Sequence, residues 1–100
     1  MMKAYEMILQ QLGGRKFIAM TGATLSHDGD KKLNARIKGS KKYNHIEITY
    51  NSQDLYDIRF IKFGGSKTMY AIKKDDRFEN VYADMMKGII EEKTGLFLSL

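Results

Sequence analysis

Residues 45–63 read HIEITYNSQDLYDIRFIKF, and this stretch decides the fold. Its two runs, residues 45–50 and 55–63, alternate apolar and polar side chains with a period of two, which is typical of β-strands with one buried face. The link between the runs is too short for the crossover that parallel strands require, so the runs are predicted to pair antiparallel. The side chains predicted to face the core are Ile46, Ile48, Tyr50, Tyr56, Ile58 and Phe60.

Further strand patterns lie on both sides of this hairpin. Residues 33–39 (LNARIKG) alternate in the same way, and residues 16–23 (KFIAMTGA) are apolar on both sides, which predicts a strand covered on both faces. Residues 67–74 (KTMYAIKK) predict a fifth strand, after a hairpin turn at Gly64-Gly65. The inward side chains of residues 33–39 are Leu33, Ala35 and Ile37. The solvent-facing surface of the sheet is predicted to carry Asn34, Arg36, Lys38, Glu47, Thr49, Asp57 and Arg59.

Helical patterns flank the strands. A first apolar stripe ends at Gly13, a residue suited to stopping a helix, and consists of Tyr5, Ile8, Leu9 and Leu12. Residues 80–95 return to helical spacing, with Asn80 as the predicted N-cap and Gly95 as the residue that ends the helix. We therefore predict a single α+β domain over residues 1–100, an antiparallel meander sheet of about five strands with N- and C-terminal helices packed on one face.

The segment after Gly95, residues 96–100 (LFLSL), alternates at strand period. We expect it to return along the core and close the seam between helix and sheet, or to add a short edge strand. The alternative is a hydrophobic hook that docks on a partner.

The composition sets aside several kinds of chemistry. The chain has no Cys, which excludes disulfides, thiolate catalysis and Cys-ligated metal sites. No apolar run approaches the roughly 20 residues of a membrane span, and residues 1–14 lack the apolar core of a secretory signal. We expect a cytoplasmic protein, in its own cell or in a host cell, that has no membrane partner.

Catalytic motifs are not recognisable. His27 lies in a turn-like segment, residues 26–32 (SHDGDKK), which lacks the later ligands of a calcium loop. Residues 64–68 (GGSKT) do not have the residue order of a nucleotide-binding phosphate loop. His45 opens a strand on the solvent-facing side, and no nucleophile stands near a recognisable base. The sequence predicts a protein that is not an enzyme and that has no metal or cofactor.

The binding signal is a basic run. Residues 31–42 contain six Lys or Arg residues and no acid, and Tyr43 follows directly. Cations that contact phosphates, together with an aromatic ring on which a base can stack, are typical of sequence-tolerant nucleic-acid binding. Arg59 begins a second basic group that could extend the patch, although Asp57, Asp75 and Asp76 dilute its charge. The predicted binding residues are Lys31, Lys32, Arg36, Lys38, Lys41, Lys42, Tyr43 and Arg59. The alternative interpretation is a charged edge strand that prevents aggregation.

Three segments carry a resemblance that spans nearly the whole chain. They read ILQQLGGRKFIAMTGA, NHIEITYNSQDLYDIRF and YADMMKGIIEEKTGLFLSL, and they resemble small uncharacterised proteins of prophages and conjugative or other mobile elements. The resemblance implies an accessory protein without assigned catalysis, and it implies no functional residues. Small proteins of such elements often dock on host machinery, including defence nucleases and their guide RNAs.

These observations lead to one expected function and two alternatives. The expected function is a non-catalytic binding protein of a phage or mobile element that docks on a host protein or nucleoprotein complex. Such a protein would inhibit a host defence nuclease in the manner of an anti-CRISPR protein. One alternative is a sequence-tolerant nucleic-acid-binding protein of replication or recombination. The other is a self-associating structural protein.

Overall fold

The computed structural model of this chain describes residues 3–65, 67 and 71–96. Within them, five strands form one antiparallel sheet in the order β1-β2-β3-β4-β5, which confirms the predicted meander. The helices are α1 (Ala4–Leu12), α2 (Arg15–Thr21) and α3 (Met86–Thr94), and a 3₁₀ turn (Ala83–Met85) precedes α3. The strands are β1 (Thr24–Asp28), β2 (Lys32–Arg36), β3 (His45–Tyr50), β4 (Tyr56–Phe63) and β5 (Ile72–Val81).

The core lies between one face of the sheet and the helices. All the residues predicted to point inward from β2, β3 and β4 are buried, apart from Tyr50, which is half-buried. Ile8 of α1 and Ile90 of α3 belong to the same buried cluster as these strand residues. Because one cluster joins both terminal helices to a single sheet face, the predicted two-layer packing is confirmed.

The prediction of a strand over residues 16–23 is wrong, because residues 15–21 form helix α2. Phe17 and Thr21, four residues apart, are its buried residues. The Thr21 hydroxyl donates to the Phe17 carbonyl oxygen at 2.6 Å, which is a helical i to i−4 contact. A short apolar run fits a covered strand and a buried helix equally well, and here the glycines on both sides, Gly14 and Gly22, limit the segment to two turns.

The first strand of the sheet comes from a segment that we predicted as a turn. Residues 26–28 belong to β1, and the turn is confined to residues 29–31. Most of β1 is exposed, since it is an edge strand paired only with β2. Little apolar periodicity is needed at such a position, so its sequence gives a weak strand signal.

The start of the last helix was also predicted wrongly. Strand β5 continues to Val81, and Asn80 is not an N-cap but has a left-handed backbone (φ 55°) at an irregularity in the pairing with β4. The Asp57 side chain accepts a hydrogen bond from the Asn80 backbone N–H at 3.0 Å and holds this bend. Helix α3 ends as expected, with Gly95 in the left-handed region (φ 75°).

The solvent-facing side of the sheet is partly apolar at one end. Ile61 lies on this side, opposite His45 in the register, and is only 1% exposed. Residues 68–70 of the predicted fifth strand and the tail residues 97–100 lie outside the described residues, so the structure decides none of the interpretations of the tail. In the part of the chain described, no helix is both long and apolar enough to cross a membrane.

Candidate nucleic-acid interface

The connection between β2 and β3, residues 37–44, is fixed to the helices at two points. The Lys38 backbone N–H donates to the Thr21 carbonyl oxygen at the end of α2, at 2.9 Å. The Ser40 hydroxyl donates to the Thr94 carbonyl oxygen at the end of α3, at 2.8 Å. Ser40 Oγ also lies within 3.3 Å of the backbone nitrogens of Lys42 and Tyr43, which donate to it. The connection therefore has a defined shape that presents its lysines to solvent.

Charge is divided between the two ends of the sheet. In a meander, alternate connections lie at the same end, so residues 37–44 and the connection that begins at Gly64 share one end. We call this the basic end; its cations are Arg36, Lys38, Lys41, Lys42, Lys62, Lys67, Lys73 and Lys74. The opposite end carries Lys3, Lys31 and Lys32 together with the acids Asp28, Asp30, Asp54, Asp57 and Glu79. Asp75 and Asp76 follow Lys74 on β5, so the basic end carries an excess of positive charge and not a single sign. Such an excess attracts polyanions to that end.

Two of the predicted binding residues are already paired across strands. Lys32 Nζ lies 2.6 Å from Glu47, and the Arg59 guanidinium contacts both Glu47 and Asp75. Arg59 holds Asp75 through two nitrogens, at 2.9 and 2.7 Å, and these hydrogen bonds lower the pKa of Asp75 to about 2. A phosphate would have to displace carboxylates to reach either cation, so Lys32 and Arg59 are poor phosphate ligands.

Tyr43 has a different role from the predicted one. Its ring is 1% exposed and packs against Phe60 in the core, so it offers no face on which a base could stack. The hydroxyl donates to Asp76, and the Lys93 ammonium lies 5.7 Å from the ring centroid. Burial and the hydrogen bond to Asp76 raise the pKa of Tyr43, and the same hydrogen bond lowers the pKa of Asp76. The prediction that Tyr43 stacks on a base is therefore corrected: the residue fastens the β2–β3 connection to β5 and α3.

The other predicted cations are exposed. Lys31, Arg36, Lys38, Lys41 and Lys42 have no ion-pair partner among residues 3–65, 67 and 71–96. Lys31 lies in the β1–β2 turn at the opposite end, whereas the remaining four are together at the basic end. The alternative of a charged edge strand is wrong, since β2 lies between β1 and β3 and is not an edge.

A cleft that the sequence did not reveal lies beside these cations. The cleft has a volume of about 690 Å³ and lies between the β2–β3 connection and the end of β4. We call it the ring cleft; the described residues that line it are Arg36, Ile37, Lys38, Asn44, His45, Phe63, Gly64 and Gly65. The antiparallel register pairs His45 with Ile61, so counting outward from the NSQD turn would have placed His45 near Phe63.

The rings in this cleft have a fixed arrangement. The His45 and Phe63 ring centroids are 5.7 Å apart and the rings meet edge to face, at 76°. The Asn44 side chain makes two hydrogen bonds to the Phe63 backbone, accepting from its N–H at 2.9 Å and donating to its carbonyl oxygen at 3.0 Å. These two bonds hold the end of β4 against the start of β3 and so set the position of the rings.

Burial lowers the pKa of His45, and the nearby cations lower it further, whereas Glu47 acts in the opposite direction. The charged neighbours are Lys32, Arg36, Glu47 and Arg59. The folded chain therefore takes up the imidazole proton at a lower pH than the unfolded chain, whose histidine pKa is about 6.5.

We expect the free energy of unfolding to fall less steeply between pH 7 and pH 5 in the His45→Gln variant than in the wild type. In the wild type, the unfolded state binds a proton in this window that the folded state still lacks, so the free energy of unfolding falls as the pH is lowered. Urea unfolding of both proteins at several pH values measures the difference. As the pH rises from 7 to 8 the two curves should become parallel, since the imidazole then loses its remaining protons in both states. An equally steep fall below pH 7 in the variant would contradict the assignment.

The described residues contain no group of three or more His, Asp or Glu side chains that could hold a metal ion. The basic end brings together cations that have no ion-pair partner in the described part of the chain and a cleft lined by the rings of His45 and Phe63. Comparison of this chain with protein-family models, with curated proteins and with solved structures found no match in any of the three.

Proposed function

We propose that this protein is a non-catalytic binding protein whose basic end contacts the phosphates of nucleic acid in a nucleoprotein complex. The observation that supports it is the separation of charge along the strands, with Arg36, Lys38, Lys41 and Lys42 exposed and unpaired among the described residues at one end. Exposed cations release counterions when they meet phosphates, and this release drives association without sequence preference.

The resemblance to mobile-element proteins suggests which nucleoprotein complex is the target. The complex would be a host defence nuclease with its guide RNA, in the host cytoplasm, and the protein would inhibit it by covering phosphates. Self-association through sheet edges is less well supported. The longer edge, β5, carries Lys73, Lys74, Asp75 and Asp76, and a charged edge disfavours the addition of another strand.

We expect a single-stranded oligonucleotide to bind with an affinity that falls steeply as salt rises. Four contacting cations predict a slope of about −3 in a plot of log affinity against log salt concentration, at roughly −0.7 per phosphate on a single strand. Fluorescence anisotropy at several salt concentrations gives the slope. No binding at low salt would overturn the proposal.

Capture from host lysate separates nucleic acid from protein as the target. The tagged protein is incubated with lysate that has or has not been treated with nuclease. Loss of the captured complex after nuclease treatment supports the proposal. Capture of the same proteins regardless of nuclease would mean that an acidic protein surface is the target, and it would contradict phosphate contact.

A further inference from the structure

The ring cleft has the dimensions and lining of a small-ligand site. Its volume of about 690 Å³ falls within the roughly 300–1,000 Å³ typical of such sites. A second groove, of about 250 Å³, lies on the solvent-facing side of the sheet and is lined by Lys32, Glu47 and Arg59, which are paired with one another or with Asp75. The ring cleft therefore combines space with groups that are free to meet a ligand.

The walls of the ring cleft suit a flat, uncharged group. Ile37 and Phe63 are among its lining residues, and burial lowers the pKa of His45, which favours the uncharged imidazole. Gly65 adds no side chain, and among the described residues none, apart from its chain neighbours, lies within 4 Å of the position that a Cβ would take there. Stacking of a base on aromatic rings is tolerant of sequence, because every base presents a π face.

The rim of the same cleft suits an anion. Arg36 and Lys38 both line it, both are exposed, and neither has an ion-pair partner in the described part of the chain. A ligand that is flat and uncharged on one side and anionic on the other matches this arrangement. A nucleotide has this form, since its base and its phosphate lie on opposite sides of the sugar.

We propose that the ring cleft binds one unstacked nucleotide of a single strand, with the base against His45 and Phe63 and the adjoining phosphate against Arg36 and Lys38. This inference rests on the proposed function, because the cations of the basic end must first attract the strand. A paired base inside a duplex cannot enter the cleft, so single strands are the ligand class.

The test compares two labelled oligomers of equal length and charge. One is an oligothymidylate of ~10 nucleotides, near the site size of small single-strand binders, and the other is the matching abasic oligomer, which has phosphates and sugars but no bases. We expect the wild-type protein to bind the oligothymidylate about tenfold more tightly, since stacking of one base contributes about 1–3 kcal/mol. Equal affinities would overturn the inference while leaving phosphate binding intact, and failure to bind either oligomer would overturn both.

Variants locate the effect in the cleft. Phe63→Leu keeps an apolar side chain but removes the ring, and it should weaken binding of the oligothymidylate more than binding of the abasic oligomer. Tyr82→Leu removes a ring that is 61% exposed beyond the end of β5 and should change neither affinity. Thermal unfolding of each variant shows whether it is folded. A Phe63→Leu protein that is folded and still prefers bases tenfold would contradict the assignment of Phe63.

Competition with thymidine monophosphate distinguishes a strand from a free nucleotide. We expect the monophosphate to displace the labelled oligothymidylate only weakly, since it cannot also reach the lysines of the β2–β3 connection. Displacement as effective as that by unlabelled oligothymidylate, at equal nucleotide concentration, would overturn the assignment of a strand as the ligand.

Discussion

Replacing Phe17 by alanine should lower the free energy of unfolding by about 3–5 kcal/mol, the usual cost of removing a buried phenylalanine ring. Phe17 is fully buried in the core cluster that also contains Leu12 of α1 and Ile90 of α3. A domain of this size is stable by only about 5–15 kcal/mol, so the variant should be partly unfolded well below the melting temperature of the wild type. Urea unfolding followed by circular dichroism measures the change.

Tyr82→Ala is the matched control for this experiment. It also removes an aromatic ring, but Tyr82 is 61% exposed, and surface substitutions usually change stability by less than about 0.5 kcal/mol. A cost below about 1 kcal/mol for Phe17→Ala would contradict the packing of α2 against the sheet, because cavity formation in a core costs more than that.

Changing Lys38, Lys41 and Lys42 together to glutamate should weaken binding of a single-stranded oligonucleotide on the order of 100-fold at low salt. The three side chains project from a connection whose backbone is held by Thr21 and Thr94, so the fold should survive the change. The salt dependence should become shallower by about 2 in the log–log slope, at roughly 0.7 for each lost contact. Anisotropy titrations at several salt concentrations give both quantities.

Changing Arg15, Lys16 and Lys87 to glutamate alters the net charge by the same amount and serves as the control. These residues lie in the first turns of α2 and α3, where a negative side chain interacts favourably with the helix dipole. The opposite ends of both helices contact the β2–β3 connection, so the substitutions are remote from it. An equal loss of affinity in both triple variants would indicate a general charge effect and would contradict a defined basic end.

Alternation alone predicted the centre of the sheet. Ile46, Ile48, Ile58 and Phe60 are buried as expected, because β3 and β4 each have a neighbour on both sides and one face against the helices. The apolar residues around Phe17 were predicted to form a strand and form a helix instead. Seven residues make only two helical turns, which is too short for the helical spacing of apolar residues to be recognised. Strand β5 was predicted only at its start, within residues 67–74, since hydrogen bonds to β4 stabilise a longer segment whose side chains are mostly charged and exposed.

The candidate site, like the fold, was predicted only in part. The sequence predicted the cluster of cations but not which of them can bind a phosphate. That depends on the pairing register of the strands, which places carboxylates beside some of the cations. Glu47 pairs with Arg59 across β3 and β4 and also reaches Lys32, and no local feature of residues 31–42 indicates this. Tyr43 was misassigned for a similar reason, since its partners Asp76 and Lys93 lie more than thirty positions away in the sequence.

The unequal ends of the sheet make the molecule an electric dipole. A phosphate strand several ångströms away would exert a torque on it, turning the β2–β3 connection towards the strand before any side chain makes contact, over distances of about one Debye length, roughly 8–10 Å. Orientation during approach raises the fraction of collisions that are productive. Lys32 and Arg59 are neutralised by their carboxylate partners and add little to that torque. The association rate should therefore depend more strongly on ionic strength than the dissociation rate does.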